Sequence, residues 1–121
     1  MATAVKLTRE DIDFAIRTGD FPSEILSSAE NVAVVMTQGW CPQWTQMAKW
    51  ILDLEPDMRV NVFYTVYDEE SFYVPFMNFK ETVFGNYQIP YVRYYRGGKL
   101  VKESNYISQS LFLSVFATKD N

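Results

Sequence analysis

The sequence predicts a single α/β domain: a mixed central sheet flanked by helices, closed by a C-terminal β-hairpin and helix. Three observations predict it. Strand-like and helix-like segments alternate along most of the chain. Gly97-Gly98 stands between two strand-like runs, and a pair of glycines suits a tight hairpin because both central residues can take positive φ. The 121 residues are 48% hydrophobic and 17% aromatic, enough for one packed domain spanning 1–121.

Each element has a local reason. Thr8-Arg9-Glu10-Asp11 reads as a variant capping box, after which Ile12, Ala15 and Ile16 fall on one helical face and Gly19 stops the helix. A second short helical turn through Ile25 and Leu26 completes an N-terminal helical extension over 1–29. The apolar, β-branched run Val32–Thr37 reads as a buried strand. After Gln38-Gly39-Trp40-Cys41, Pro42 suits the first helical position, where its missing N–H costs nothing. Trp44, Met47, Ala48, Ile51 and Leu52 then form one apolar helical stripe, and Pro56 ends it. Alternation at Val60, Val62, Tyr64 and Val66 predicts a strand over 59–67. The run Asp68-Glu69-Glu70 lacks the glycine and terminal glutamate of a calcium loop, so it is expected to be a solvated turn. Pro75 opens the next helix, with Phe76, Phe79, Val83 and Phe84 inward, Phe72 and Tyr73 free for an exposed partner patch, and Gly85-Asn86 at its end. Tyr91–Tyr95 and Leu100–Glu103 are the hairpin strands. Ser108 caps a last helix whose Leu111, Phe112, Val115 and Phe116 face inward.

The composition excludes several chemistries. With no histidine the chain has no Ser-His-Asp triad, no Cys-His pair and no His-ligated zinc. A single cysteine leaves no internal disulfide, dithiol pair or zinc ribbon, so no metal or cofactor is expected. A net charge of −4 with scattered Lys and Arg argues against nucleic acid and against anionic membrane as partners. The N-terminal segment gathers charge at Lys6, Arg9, Glu10 and Asp11 rather than an apolar leader core, and one unpaired cysteine suits a reducing compartment, so the expected location is cytoplasmic.

The cysteine has an informative address. Trp40-Cys41-Pro42-Gln43-Trp44 lies at a strand–helix junction, where unpaired backbone N–H groups and the helix dipole favour a thiolate; the expectation is an accessible, activated thiol. Together with Gly85-Asn86-Tyr87-Gln88-Ile89-Pro90 ahead of the hairpin, this order of elements resembles the thioredoxin family over roughly residues 30–117. The resemblance implies a thioredoxin-like three-layer sandwich, with Cys41 in the place of the attacking cysteine. It further implies that Pro90 follows a cis peptide bond, that Trp40 frames a partner surface, and that the Ile89 backbone is presented to an extended peptide, with Pro42, Trp44 and Tyr91 in the same groove.

Two departures bear on activity. The family's second, resolving cysteine falls at Trp44, and its buried acid falls at Val35. Without the second thiol the ordinary dithiol cycle cannot run. Trp44 also lies on the buried helical stripe and so reads first as a core anchor. The leading expectation is an atypical thioredoxin-like protein with at most monothiol chemistry at Cys41, forming a mixed disulfide with a protein, a peptide or glutathione and released by an external thiol. The alternative is a non-catalytic peptide- or protein-binding module that uses the groove with Cys41 incidental. A reading like the monothiol glutaredoxins is disfavoured, because their Cys-Gly-Phe-Ser motif is absent.

Overall fold

The structure is a computed structural model that describes residues 4–54 and 59–117. The elements are β1 (Ala4–Lys6), α1 (Arg9–Thr18), α2 (Ser23–Leu26), β2 (Asn31–Thr37), α3 (Pro42–Ile51), β3 (Val60–Val66), α4 (Tyr73–Thr82), β4 (Tyr91–Arg96), β5 (Lys99–Ser104) and α5 (Gln109–Ala117). A single 3-10 turn, Tyr67–Glu69, follows β3. The five strands form one sheet in the order β1-β3-β2-β4-β5. β1 and β2 run parallel to β3, whereas β4 runs antiparallel to both β2 and β5.

Strand β1 departs from the expectation of a purely helical extension. Its three residues pair with Val62, Phe63 and Tyr64 along the free edge of β3. A strand this short, with one half-buried and two exposed residues, carries almost no periodicity. Pro56, expected to end the helix of the Trp44 stripe, lies outside the described residues; α3 itself closes at Leu52.

Alternation along the strands divides the core in two. One side of the sheet packs Val32, Val34, Met36, Tyr91 and Tyr95 against α1, α2 and α4. The other packs Ala33, Val35, Val60, Val62, Val92 and Tyr94 against α3 and α5. Local chemistry sets the helix ends. Thr8 and Asp11 exchange side-chain and backbone hydrogen bonds of 3.1 and 2.9 Å, and Gly19 takes φ of 102° at the α1 terminus. The Ser108 hydroxyl accepts from the Leu111 N–H at 3.4 Å at the head of α5.

Several positions expected inside lie outside. Ile16, Val83 and Leu111 are exposed, each sitting at the margin of its apolar stripe where the helix rolls away from the sheet. The converse holds for Phe72 and Tyr73. Phe72 is buried and Tyr73 half-buried, because α4 begins two residues before Pro75 and draws both rings onto Phe76 and Tyr67. They belong to the core and form no exposed patch. Among the described residues no helix is long and apolar enough to cross a membrane.

Candidate functional site

The site is made by sheet topology. β2 delivers Gln38–Cys41 at its C-terminal end, and the antiparallel register sets Met36 opposite Tyr91. The Ile89–Pro90 peptide, which is cis, therefore enters β4 beside the loop leaving β2. The two loops meet where the Cys41 thiol lies 3.8 Å from the Ile89 carbonyl oxygen.

Cys41 is the N-cap of α3, with Pro42 following at the first helical position and exposed. Its N–H donates to the Gln38 carbonyl at 3.3 Å, and its carbonyl accepts from the Thr45 N–H at 3.1 Å. The expectation of an accessible thiol is not met: Cys41 is only 4% exposed. It packs with Val35, Trp44 and Met47, and Ile89 lies partly buried against the same cluster. A residue at a helix start is exposed only if nothing is folded over that end. Here the Ile89–Pro90 loop comes down on it.

Trp44 is 7% exposed and stacks on Tyr64 with ring centroids 6.3 Å apart, so it is a core anchor beneath the site rather than a groove wall. Val35 is wholly buried among apolar neighbours. Trp40, by contrast, is 68% exposed. Its indole N–H nevertheless donates to Gln38 Oε1 at 2.6 Å. Gln38 is anchored in turn: its amide N–H donates to the Tyr67 hydroxyl at 3.2 Å, and the Tyr73 hydroxyl donates to Oε1 at 3.5 Å. The Gly39 N–H donates to Asp68 Oδ1 at 2.8 Å, so the acidic turn after β3 braces the same loop. An exposed ring held from one edge is preorganised, which lowers the entropic cost of covering it.

The opposite loop is held from below by Lys80 and from the side by Asn105. The Lys80 ammonium, fully buried on α4, donates to the Asn86 carbonyl at 2.9 Å and to the Gln88 carbonyl at 2.8 Å. The Asn105 amide donates to the Pro90 carbonyl and to Asn86 Oδ1, both at 3.0 Å. Pro90 is buried, Ile89 half-buried, and Tyr87 stands 73% exposed between the two anchors. Burial of the Lys80 ammonium lowers its pKa to about 8, against a smaller opposite effect from the Glu81 carboxylate.

Tyr91 does not line the groove. It is fully buried on the far side of β4, where its hydroxyl donates to Glu103 and accepts from Arg93 at 2.9 Å. Burial, with the Glu103 hydrogen bond next, pushes its pKa up to about 12. Arg93 also donates to the Tyr95 hydroxyl at 2.8 Å and lies 3.8 Å over the Phe84 ring. The surface depression lined by Asp13, Phe14, Arg17 and Pro22, between α1 and α2, shares no residue with either loop.

Sequence reasoning missed Gln38, Lys80, Tyr87 and Asn105. Only Lys80 left a signal: it stands four residues after Phe76, an inward position of the stripe, where a charged side chain must find partners. Gln38 is anchored by Tyr67 and Tyr73, and Asn105 holds Asn86 and Pro90, partners distant in the chain that no local pattern announces.

No protein-family model and no curated protein sequence matches the chain. Solved structures do. Thioredoxin O1 from Arabidopsis thaliana, in its oxidized state, superposes with a TM-score of 0.67 at 14% identity, covering 95% of this chain and 96% of that one. Thioredoxin O2 from the same plant gives 0.64 at 17% identity, over 96% and 93% of the two chains. A mutant thioredoxin from Halobacterium salinarum gives 0.66 at 12% identity, over 93% and 86%. The chain therefore has the thioredoxin fold. It carries that fold with a single cysteine.

Proposed function

We propose that the chain is a non-catalytic binding module that takes an extended peptide or protein segment between the Trp40 loop and the Tyr87–Pro90 loop. One observation carries this reading: the thiol is packed into an apolar cluster while the neighbouring Trp40 is exposed and pinned by Gln38. A fixed aromatic ring beside a rigid loop offers contact area at little ordering cost, and the Ile89 main chain would add strand-like hydrogen bonds. The absence of a second cysteine fits a protein that holds a partner without turning it over.

The test is capture of extended peptides from a random library on the immobilised chain. Trp40→Ala should weaken the selected peptides by about tenfold or more, as expected for an anchoring aromatic. Cys41→Ser should leave their affinity within about twofold. Equal binding by Trp40→Ala and wild type would overturn the reading.

A second reading keeps monothiol chemistry, favoured by the place of Cys41 at the contact between the two loops. Its thiolate would attack a disulfide sulfur, forming a mixed disulfide and expelling the partner thiolate. An external thiol such as glutathione would then attack that bond and return Cys41 to the free thiol. Incubation with oxidised glutathione followed by intact-mass measurement discriminates: a glutathionyl adduct on the native protein, absent in Cys41→Ser, favours this route over binding alone.

A further inference from the structure

We propose that Lys80 is the positioning residue of the groove: its buried ammonium, clamped between the Asn86 and Gln88 carbonyls, sets the shape of the loop that presents Ile89 and Pro90, so that loss of its proton loosens that loop. The role in binding rests on the reading above; the clamp itself rests on geometry.

A fully buried ammonium is costly unless its donors are used, and two of the three are spent here on carbonyls of one five-residue loop segment, 86–90. Charged donors make hydrogen bonds about twice as strong as neutral ones. A neutral amine could still reach both carbonyls, so deprotonation weakens the clamp without abolishing it. The surroundings supply little to hold the charge. Glu81 on the same helix favours it. From β4 the Tyr91 ring lies 5.6 Å away, its hydroxyl already engaged by Arg93 and by Glu103 of β5. The 86–90 loop carries no charged residue. α1 turns Ile12 and Ala15 inward and keeps Arg9, Glu10, Asp13 and Arg17 exposed, while the Tyr67–Glu69 turn spends Asp68 on Gly39. Burial thus outweighs attraction, and the proton is held weakly enough to leave under mildly alkaline conditions.

The test is carbon-detected NMR of the full chain from about pH 6 to about pH 11, following the lysine Cε signals and the backbone carbonyls of Asn86 and Gln88. The expected result is that Lys80 titrates near 8 and that both carbonyls move with the same midpoint. Lys80→Met should abolish that carbonyl response and weaken the selected peptides by roughly tenfold at neutral pH. Titration of Lys80 together with the other lysines, or carbonyls that ignore it, would overturn the proposal. If Lys80→Met does not fold, the wild-type titration still decides. If the wild type captures no peptide yet the carbonyls follow Lys80, the clamp is supported and the binding reading falls.

Discussion

At residue scale the site turns on what surrounds one sulfur. Cys41 begins α3, but reactivity needs access, and the sulfur lies 3.8 Å from the Ile89 carbonyl oxygen in the buried cluster that includes Val35, Trp44 and Met47. We expect Cys41 to react with a small alkylating reagent at least about tenfold more slowly in the native chain than in the urea-unfolded chain at the same pH. Equal rates would show that the thiol is open. Trp44, its neighbour below, is a packing residue. Removing its ring from the stack on Tyr64 by Trp44→Ala should cost about 3–5 kcal/mol in urea denaturation, as buried large-to-small changes do.

At the scale of elements, short-range chemistry decides boundaries and long-range packing decides orientation. The β4–β5 hairpin closes on Gly97 and Gly98 at φ of 58° and 81°, a turn only residues without Cβ adopt freely. Gly97→Ala should cost about 1 kcal/mol. Gly98→Ala should cost more, because its Cβ would also lie 2.8 Å from the Ser27 hydroxyl oxygen. Thermal melts of the two variants give the order, and the reverse order would discount the Ser27 contact. Helix α4 shows the other half. Its stripe admits either Lys80 or Val83 inward, and the structure buries the lysine and exposes the valine. The loop after α4 presents carbonyls that only a donor can satisfy, so the polar residue takes the inward place.

For the whole molecule, two cores share one sheet, and the titratable groups buried in them give stability a distinctive pH dependence. Lys80 has its pKa lowered to about 8 by burial, so the unfolded chain binds more protons between that value and the ordinary 10.5, and stability rises with pH across this window. Tyr91 and Tyr94 have theirs raised to about 12 by burial, so their contribution is present below about 10 and is lost as pH climbs toward 12. The urea midpoint should therefore rise above about pH 8 and fall again beyond about pH 10, with the rise missing in Lys80→Met. A flat wild-type profile would contradict it. Global stability rises over the range in which the Asn86–Pro90 loop is expected to loosen, so that loosening is distinguishable from unfolding.

Much of this protein is settled by sequence alone. The strand runs, the Trp44 stripe, the Thr8 cap, the Gly97-Gly98 turn and the absence of a second thiol all follow from neighbours within a few residues, where steric and hydrogen-bonding rules act directly. Those features suffice for the fold, and the single cysteine leaves no dithiol pair within this sequence. Tertiary structure alone decided the rest: that β1 pairs with β3, that Cys41 and Tyr91 are covered, that Trp40 is braced through Gln38, and that Lys80 is clamped inside. The β1 pairing and the cover over Cys41 and Tyr91 come from distant parts of the chain, whereas the Trp40–Gln38 and Lys80–Asn86 bonds join near neighbours in a geometry that only the surrounding fold fixes. Burial, which sets access to a thiol and the proton affinity of an amine, is a property of those neighbours and not of the residue that bears the group.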